Sequence, residues 1–295
     1  MKKIYFKIFS TCCFLFFSCA LSLGEGGREA ADSLFLAGNY YPAAVEYERA
    51  AFLSLNNSTR TFALLKKSEC FLQMGNYADA EKITGRIIYT DLSDTLIAKA
   101  RYQNALCAYL SGNFANAENH LLQMNSFIKD SSLTKNSLPL YALVLNELQR
   151  WPEAKEKILQ SINLSEINSA EKDSLRKKIN ELYVSKNYPH LKNLLKAQKM
   201  SAFLPGLGQL YAGYFWEGAA SAFLNTASLG LMIYLVYPPM QLYFTSATVG
   251  TAVFSKFYLG GSNRLEYLVG KKNYKLLRGY NNDLKNAIVK IENEK

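Results

Sequence analysis

The sequence predicts an all-α protein: a solenoid of helical hairpins, then a transmembrane helical hairpin, then a C-terminal helix. Three observations predict it. A Gly-Asn-aromatic marker recurs every 37 residues, small residues recur in register on both sides of it, and from residue 200 the composition turns abruptly apolar.

The markers are Gly38-Asn39-Tyr40, Gly75-Asn76-Tyr77 and Gly112-Asn113-Phe114, and the aromatic persists one and two periods later in Gln149-Arg150-Trp151 and Lys186-Asn187-Tyr188. A constant period of this size signals a stack of supersecondary units, here about five, the last degenerate. Five residues after each marker glycine position stand Ala43, Ala80, Ala117 and Ala154, with Leu191 in the fifth copy, and seven before it stand Ala31, Ser68, Ala105 and Ala142. Small side chains at matched points on two successive helices let their backbones approach closely, as a packed hairpin requires. Glycine suits the left-handed residue that ends one helix, and asparagine caps the next. Pro42 and Pro152 fall in the first turn of the second helix, where a missing N–H costs little.

With these residues in register, the segment 25–199 resembles the tetratricopeptide repeat family, whose hairpins carry Gly-Asp/Asn-Tyr-x-x-Ala. It departs from that family's period of about 34 residues by three, which we expect in linkers such as 55–58 and 90–94. The resemblance implies a concave groove lined by the first helices of the hairpins, including Glu69, Gln73, Lys99, Tyr102, Tyr109, Asn136 and Asn146. Tyr102 and Tyr109 lie seven residues apart and share a helix face, either to grip a peptide or to pack against the neighbouring repeat. Cys70 and Cys107 occupy the same place in adjacent copies, where Ser33 and Val144 stand elsewhere, so they read as packed thiols.

Residues 1–23 have the layout of a secretory signal: Lys2, Lys3 and Lys7, then an apolar run, then small residues at Ser18, Ala20 and Ser22. The alternative is a retained anchor. Phe16-Phe17-Ser18-Cys19 also loosely resembles a lipobox, which implies lipidation at Cys19. Such a leader places the repeats outside the cytoplasm, in a bacterial envelope.

The segment 200–262 is expected to be a membrane module. Spans at about 219–237 and 240–259 approach the ~20 residues that cross a bilayer, with Pro238-Pro239 as the turn, or else form a buried soluble hairpin. Ahead of them, Pro205-Gly206-Leu207-Gly208-Gln209-Leu210-Tyr211 resembles the motif of an uncharacterised family of bacterial membrane domains, which implies membrane residence and no known chemistry. Asn263 and Glu266 suggest a capping box opening a basic tail, 263–295. Both flanks of the hairpin are basic, which opposes the orientation a signal peptide imposes, so two and three spans both remain open.

The formal net charge is +10, of which the leader holds three, too weak a surplus to imply nucleic acid. Only His120 and His190 are present, and no catalytic or metal-ligating constellation can be assembled. The expectation is therefore a membrane-anchored scaffold that binds a protein or peptide partner and membrane lipid, with no cofactor. The rival is a component of a transport or channel assembly.

Overall fold

Each hairpin turns where a residue enters the left-handed region that a side chain resists. In the computed structural model, which describes residues 25–236 and 243–294, Gly38, Gly75 and Gly112 have φ of 78°, 74° and 88°. The leader 1–23, with Cys19, lies outside the described residues. The turns separate α1 (Glu25–Leu36) from α2 (Tyr40–Leu53), α3 (Asn57–Gln73) from α4 (Tyr77–Thr84), and α5 (Asp94–Ser111) from α6 (Phe114–Phe127). A fourth turn separates α7 (Leu138–Glu147) from α8 (Trp151–Leu164), and α9 (Ser169–Leu182) follows. In the fourth turn Gln149 takes the glycine's place and keeps its conformation, with φ of 62°.

All four turns close with the same pair of backbone bonds. The amide after the left-handed residue reaches back five residues: Asn39 to Leu34, Asn76 to Phe71, Asn113 to Ala108 and Arg150 to Leu145, at 2.8–2.9 Å. The left-handed residue itself reaches back three, which completes a Schellman motif and satisfies carbonyls that the helix end would otherwise strand. The fifth marker is different: Lys186 lies in a 3-10 turn, Ser185–Asn187. Marker asparagines then cap the next helix at two places, Asn76 accepting from the Asp79 amide and Asn113 from the Asn116 amide. Asn39 makes no such bond.

Consecutive helices from α1 to α9 pack against one another, and their contact points are the small residues. Ala31, Ala43, Ser68, Ala80, Ala105, Ala117, Ala142 and Ala154 are all fully buried. Larger side chains fill the space beside them, among them Tyr47, Leu64, Leu65, Leu121, Leu145 and Ile158. Cys70 and Cys107 are free and buried in this core. The extra residues of the long period gather after α4, which is only eight residues long and leaves 85–93 as linker, with Asp91 at φ of 58°.

The chain divides into two compact units, one formed by the residues up to Ser185 with Leu284 onward, the other by Lys186–Asp283. This places the edge at 185/186 rather than at 199/200, since the segment before residue 200 is tied into the second unit: the Lys192 amide donates to Asn273 Oδ1 at 2.7 Å and Asn273 Nδ2 donates back to the Lys192 carbonyl at 2.9 Å. The second unit contains α10 (Leu194–Phe203), α11 (Leu207–Tyr211), α12 (Phe215–Val236) and most of α13 (Tyr243–Glu294).

Two expectations are corrected here. Asn263 and Glu266 cap nothing, because α13 runs unbroken for 52 residues through both. Gly260 and Gly261 stay helical; the ~1 kcal/mol that each costs in a helix is offset by burial of Leu265, Leu268 and Val269 just beyond. The tail 263–295 is therefore the continuation of a helix and no separate element. Among the described residues, no helix is long and apolar enough to cross a membrane. The spans at 219–237 and 240–259 gain no support from the fold, and residues 237 and 240–242, with Pro238-Pro239, lie outside the described residues.

A substitution pair tests the turn geometry. Gln149→Gly should raise stability by about 1 kcal/mol in urea unfolding, and Gly112→Ala should lower it by about as much, since one relieves and the other creates a left-handed side chain. Equal signs for the two would refute the assignment.

Candidate functional site

Along the first helices of the hairpins, cations lie over aromatic rings. The Arg28 guanidinium is 4.3 Å and the Lys99 ammonium 5.5 Å from the centroid of Phe62, and Lys66 is 5.6 Å from that of Phe35. Phe62 and Lys99 are one period apart, so helical repetition itself brings them together. All five are half-buried residues of α1, α3 and α5.

The seven residues expected in the groove divide. Gln73 and Lys99 are half-buried, Asn136 is exposed, and Tyr102 packs partly buried against Ala98, Met124 and Ile128. Glu69, Tyr109 and Asn146 are buried and present no surface to a partner, which corrects their placement. Glu69 accepts from Lys66 at 2.8 Å; the Tyr109 ring packs at a tilt of 55° against Phe114 with centroids 5.8 Å apart, with Lys285 over it; and Asn146 Nδ2 donates to the Tyr183 hydroxyl at 2.8 Å. The physical reason is common to two of them. Residues at that repeat position are covered by the next helical layer, and Asn146 and Tyr183 are the same position one period apart. The pair of tyrosines thus splits, with Tyr109 in the core.

Polar groups that sequence reasoning missed join one repeat to the next. Gln103 Nε2 donates to the Leu65 carbonyl at 2.8 Å and to Ser68 Oγ at 2.5 Å. The Glu81 carboxylate accepts from Ser111, Asn113 and Asn116, and Glu118 accepts from Arg150. Glu48 on α2 accepts from Nη1 and Nη2 of Arg86 and from Lys67 at 2.9 Å, and these bonds, Arg86 foremost and against the opposing effect of burial, draw its carboxyl down to about 2. Apart from Lys67 and Glu48, 19 residues apart, the partners stand 30 to 38 residues apart, close to one period, and that spacing was the only hint of them.

His120 is half-buried on α6, and its Nδ1 lies 3.2 Å from an Arg101 guanidinium nitrogen, so Nδ1 accepts and the ring proton sits on Nε2. Burial first and the Arg101 charge second push its pKa from 6.5 to about 4, with Glu81 opposing. Arg101 is itself stacked 3.6 Å over Tyr89, whose hydroxyl accepts from Asn104. His190 is exposed. Burial lifts both Cys70 and Cys107 to about 12, which leaves them as inert thiols. Among the described residues, no cluster of His, Cys, Asp or Glu is arranged to hold a metal ion.

In the second unit the Pro205–Tyr211 motif is where four helices meet. A Cβ on Gly206, whose φ is +100°, would stand 2.3 Å from the Gly218 carbonyl of α12. One on Gly208 would stand 2.4 Å from the Ala197 carbonyl of α10 and 2.7 Å from Leu265 of α13. Gln209, 2 % exposed, donates from Nε2 to the Gly261 carbonyl at 3.1 Å and accepts from Ser201 Oγ at 3.2 Å. The Tyr211 hydroxyl accepts from the Asn193 amide, and Lys192 and Lys196 lie over its ring at 4.8 and 5.4 Å. Pro205 starts the turn into α11. Each residue the motif singled out thus has a packing duty, and a small residue on one helix meets backbone of another.

Beyond this junction α12 is amphipathic in the inverted sense. Its buried stripe is Gly218, Asn225 and Ser228, with Ser221 and Ala222 partly covered, while Phe215, Trp216, Phe223, Leu231 and Ile233 are 62, 81, 72, 54 and 60 % exposed. Phe257 and Leu259 on α13 are exposed as well. The sense reverts just past the bidentate ion pair of Arg264 with Glu217, at 2.8 and 2.9 Å, where Leu265, Leu268 and Val269 are buried. Charge divides with the units: residues 186–283 hold ten Lys and Arg against three Asp and Glu, while residues 24–185 with 284–295 hold 21 of each.

Comparison of the chain with protein families, with curated proteins and with solved structures finds no match.

Three outcomes follow from these contacts. His120 is held below its unfolded pKa, so its contribution to stability is complete above pH 6.5 and is lost as pH falls toward 4. His120→Gln should flatten the decline in urea midpoint across that window, and an unchanged decline would exonerate His120. Glu48, also lowered, contributes above its unfolded value of 4.5 and loses that contribution as pH falls toward about 2. Because it is partly exposed, Glu48→Gln should cost no more than ~1 kcal/mol at neutral pH. Gly208→Ala should destabilise the second unit by more than that, as loss of cooperative unfolding followed by Trp216 fluorescence.

Proposed function

We propose that the chain is an interaction scaffold whose first unit, a tetratricopeptide-like solenoid, binds a protein or peptide partner and whose second unit holds it at a membrane of the cell envelope. The observation that carries the membrane half is the inverted α12. In water a helix buries its large apolar side chains, but here glycine, serine and asparagine face inward while Phe, Trp, Leu and Ile face out. That arrangement suits hydrocarbon, where small residues let helices approach and bulky apolar ones meet lipid. Trp216 and the Glu217–Arg264 pair then belong at the water boundary, where aromatic and charged groups concentrate.

The partner half rests on the repeats. Their first helices offer Gln73 and Lys99, with Tyr102 beside them, Asn136 in the 3-10 turn ahead of α7, and the cation–ring pairs at Phe35 and Phe62, as amphipathic contact area. The balanced charge of this unit argues against nucleic acid, which needs a basic face.

Flotation with phosphatidylcholine vesicles tests the membrane half: the purified full chain should float, and Phe223→Asp with Leu231→Asp should leave it in the load fraction. If the variant floats as well as the parent, α12 is not the lipid-facing element. A photocrosslinker placed at Lys99 should capture one defined partner in cells, and the same group at Glu171 should not.

A further inference from the structure

A groove of about 610 Å³ beside α10 is lined by Lys196 and Lys199 and by Leu195, Met200, Phe203 and Leu207. Leu195 is 67 % and Phe203 90 % exposed, so α10 shows water an apolar surface that the fold leaves uncovered. Lys196 and Lys199 are three residues apart and therefore stand together on one helix face. Both are exposed, and Lys196 is steadied from below by the Tyr211 ring. α10 is in turn fixed by its own junction with α11, through Gly208 against Ala197. Two ammonium groups over an apolar trough match a molecule with an anionic head and a hydrocarbon tail. A soluble anion would use only the head of such a site, and a zwitterionic lipid would leave the charges uncompensated. The surrounding unit strengthens the bias, since it carries the whole net positive charge of residues 24–295.

We propose that this groove seats an anionic phospholipid, with Lys196 and Lys199 on the phosphate and the trough of Leu195, Met200, Phe203 and Leu207 along an acyl chain. This rests on the membrane reading above and adds to it a choice of lipid.

The test is cosedimentation of the full chain with two sets of vesicles, one of phosphatidylcholine alone and one in which roughly a third is replaced by phosphatidylglycerol. The parent chain should bind the anionic vesicles about 10- to 30-fold more tightly. Lys196→Gln with Lys199→Gln should remove most of that preference while binding to phosphatidylcholine persists through α12. Lys271→Gln with Lys275→Gln, which deletes the same charge elsewhere in the unit, should keep it. Equal loss in both pairs, or no loss in the first, overturns the seat in favour of diffuse attraction. Equal binding of the parent to both vesicles also overturns it and leaves the membrane reading standing. No binding to either overturns both. Inorganic phosphate in excess should not release the bound chain, and release by it would make the site one for soluble anions.

Discussion

Backbone approaching backbone is the contact on which both units depend. A helix presents its neighbour with whatever side chains lie between the axes, and only Ala, Gly and Ser there allow close packing. In the repeats that condition is met by a column of alanines with one serine, all without exposed surface. In the second unit it is met by Gly206, Gly208 and Gly218, where a single added carbon would collide with a carbonyl, a leucine or a serine, and by Gly261, where it would press on Ser221. The two differ in what surrounds the contact. Leucine and isoleucine fill the space beside the alanines, whereas the glycines of the second unit sit among serine, asparagine and glutamine as well as Leu210 and Leu265, and the bulky apolar groups of α12 point away.

The hairpins were legible because their punctuation is chemical and local. A left-handed residue must be glycine or accept strain, so three glycines at a constant interval announce three turns before any helix is assigned. Gln149 shows the limit of that logic, since only the register says that a glutamine does a glycine's work there. Ala43, Ala80, Ala117 and Ala154 were legible for a similar reason: smallness at a fixed offset has few explanations.

The groove was less legible because exposure is decided by neighbours. Counting places Glu69, Tyr109 and Asn146 on the first-helix face, but a residue on that face is covered when the next layer or a returning helix reaches over it, as Tyr183 does for Asn146. Helix ends without a left-handed stop were harder still. Gly260-Gly261-Ser262-Asn263 reads as a break, and no local rule reveals that burial of Leu265 and Leu268 will carry α13 through it. In α12 the composition told of an apolar helix; which side its serines and asparagine would face needed the glycines of α11 and α13 to be put in place.

The division of charge has an electrical consequence. Residues 24–185 with 284–295 have as many acids as bases, so a partner approaching the proposed repeat surface would meet no net field for salt to screen. The other unit is strongly cationic and would feel every change of ionic strength. If the proposed scaffold holds both a partner and a membrane, one attachment would be insensitive to salt and the other governed by it, so the two could be loosened independently.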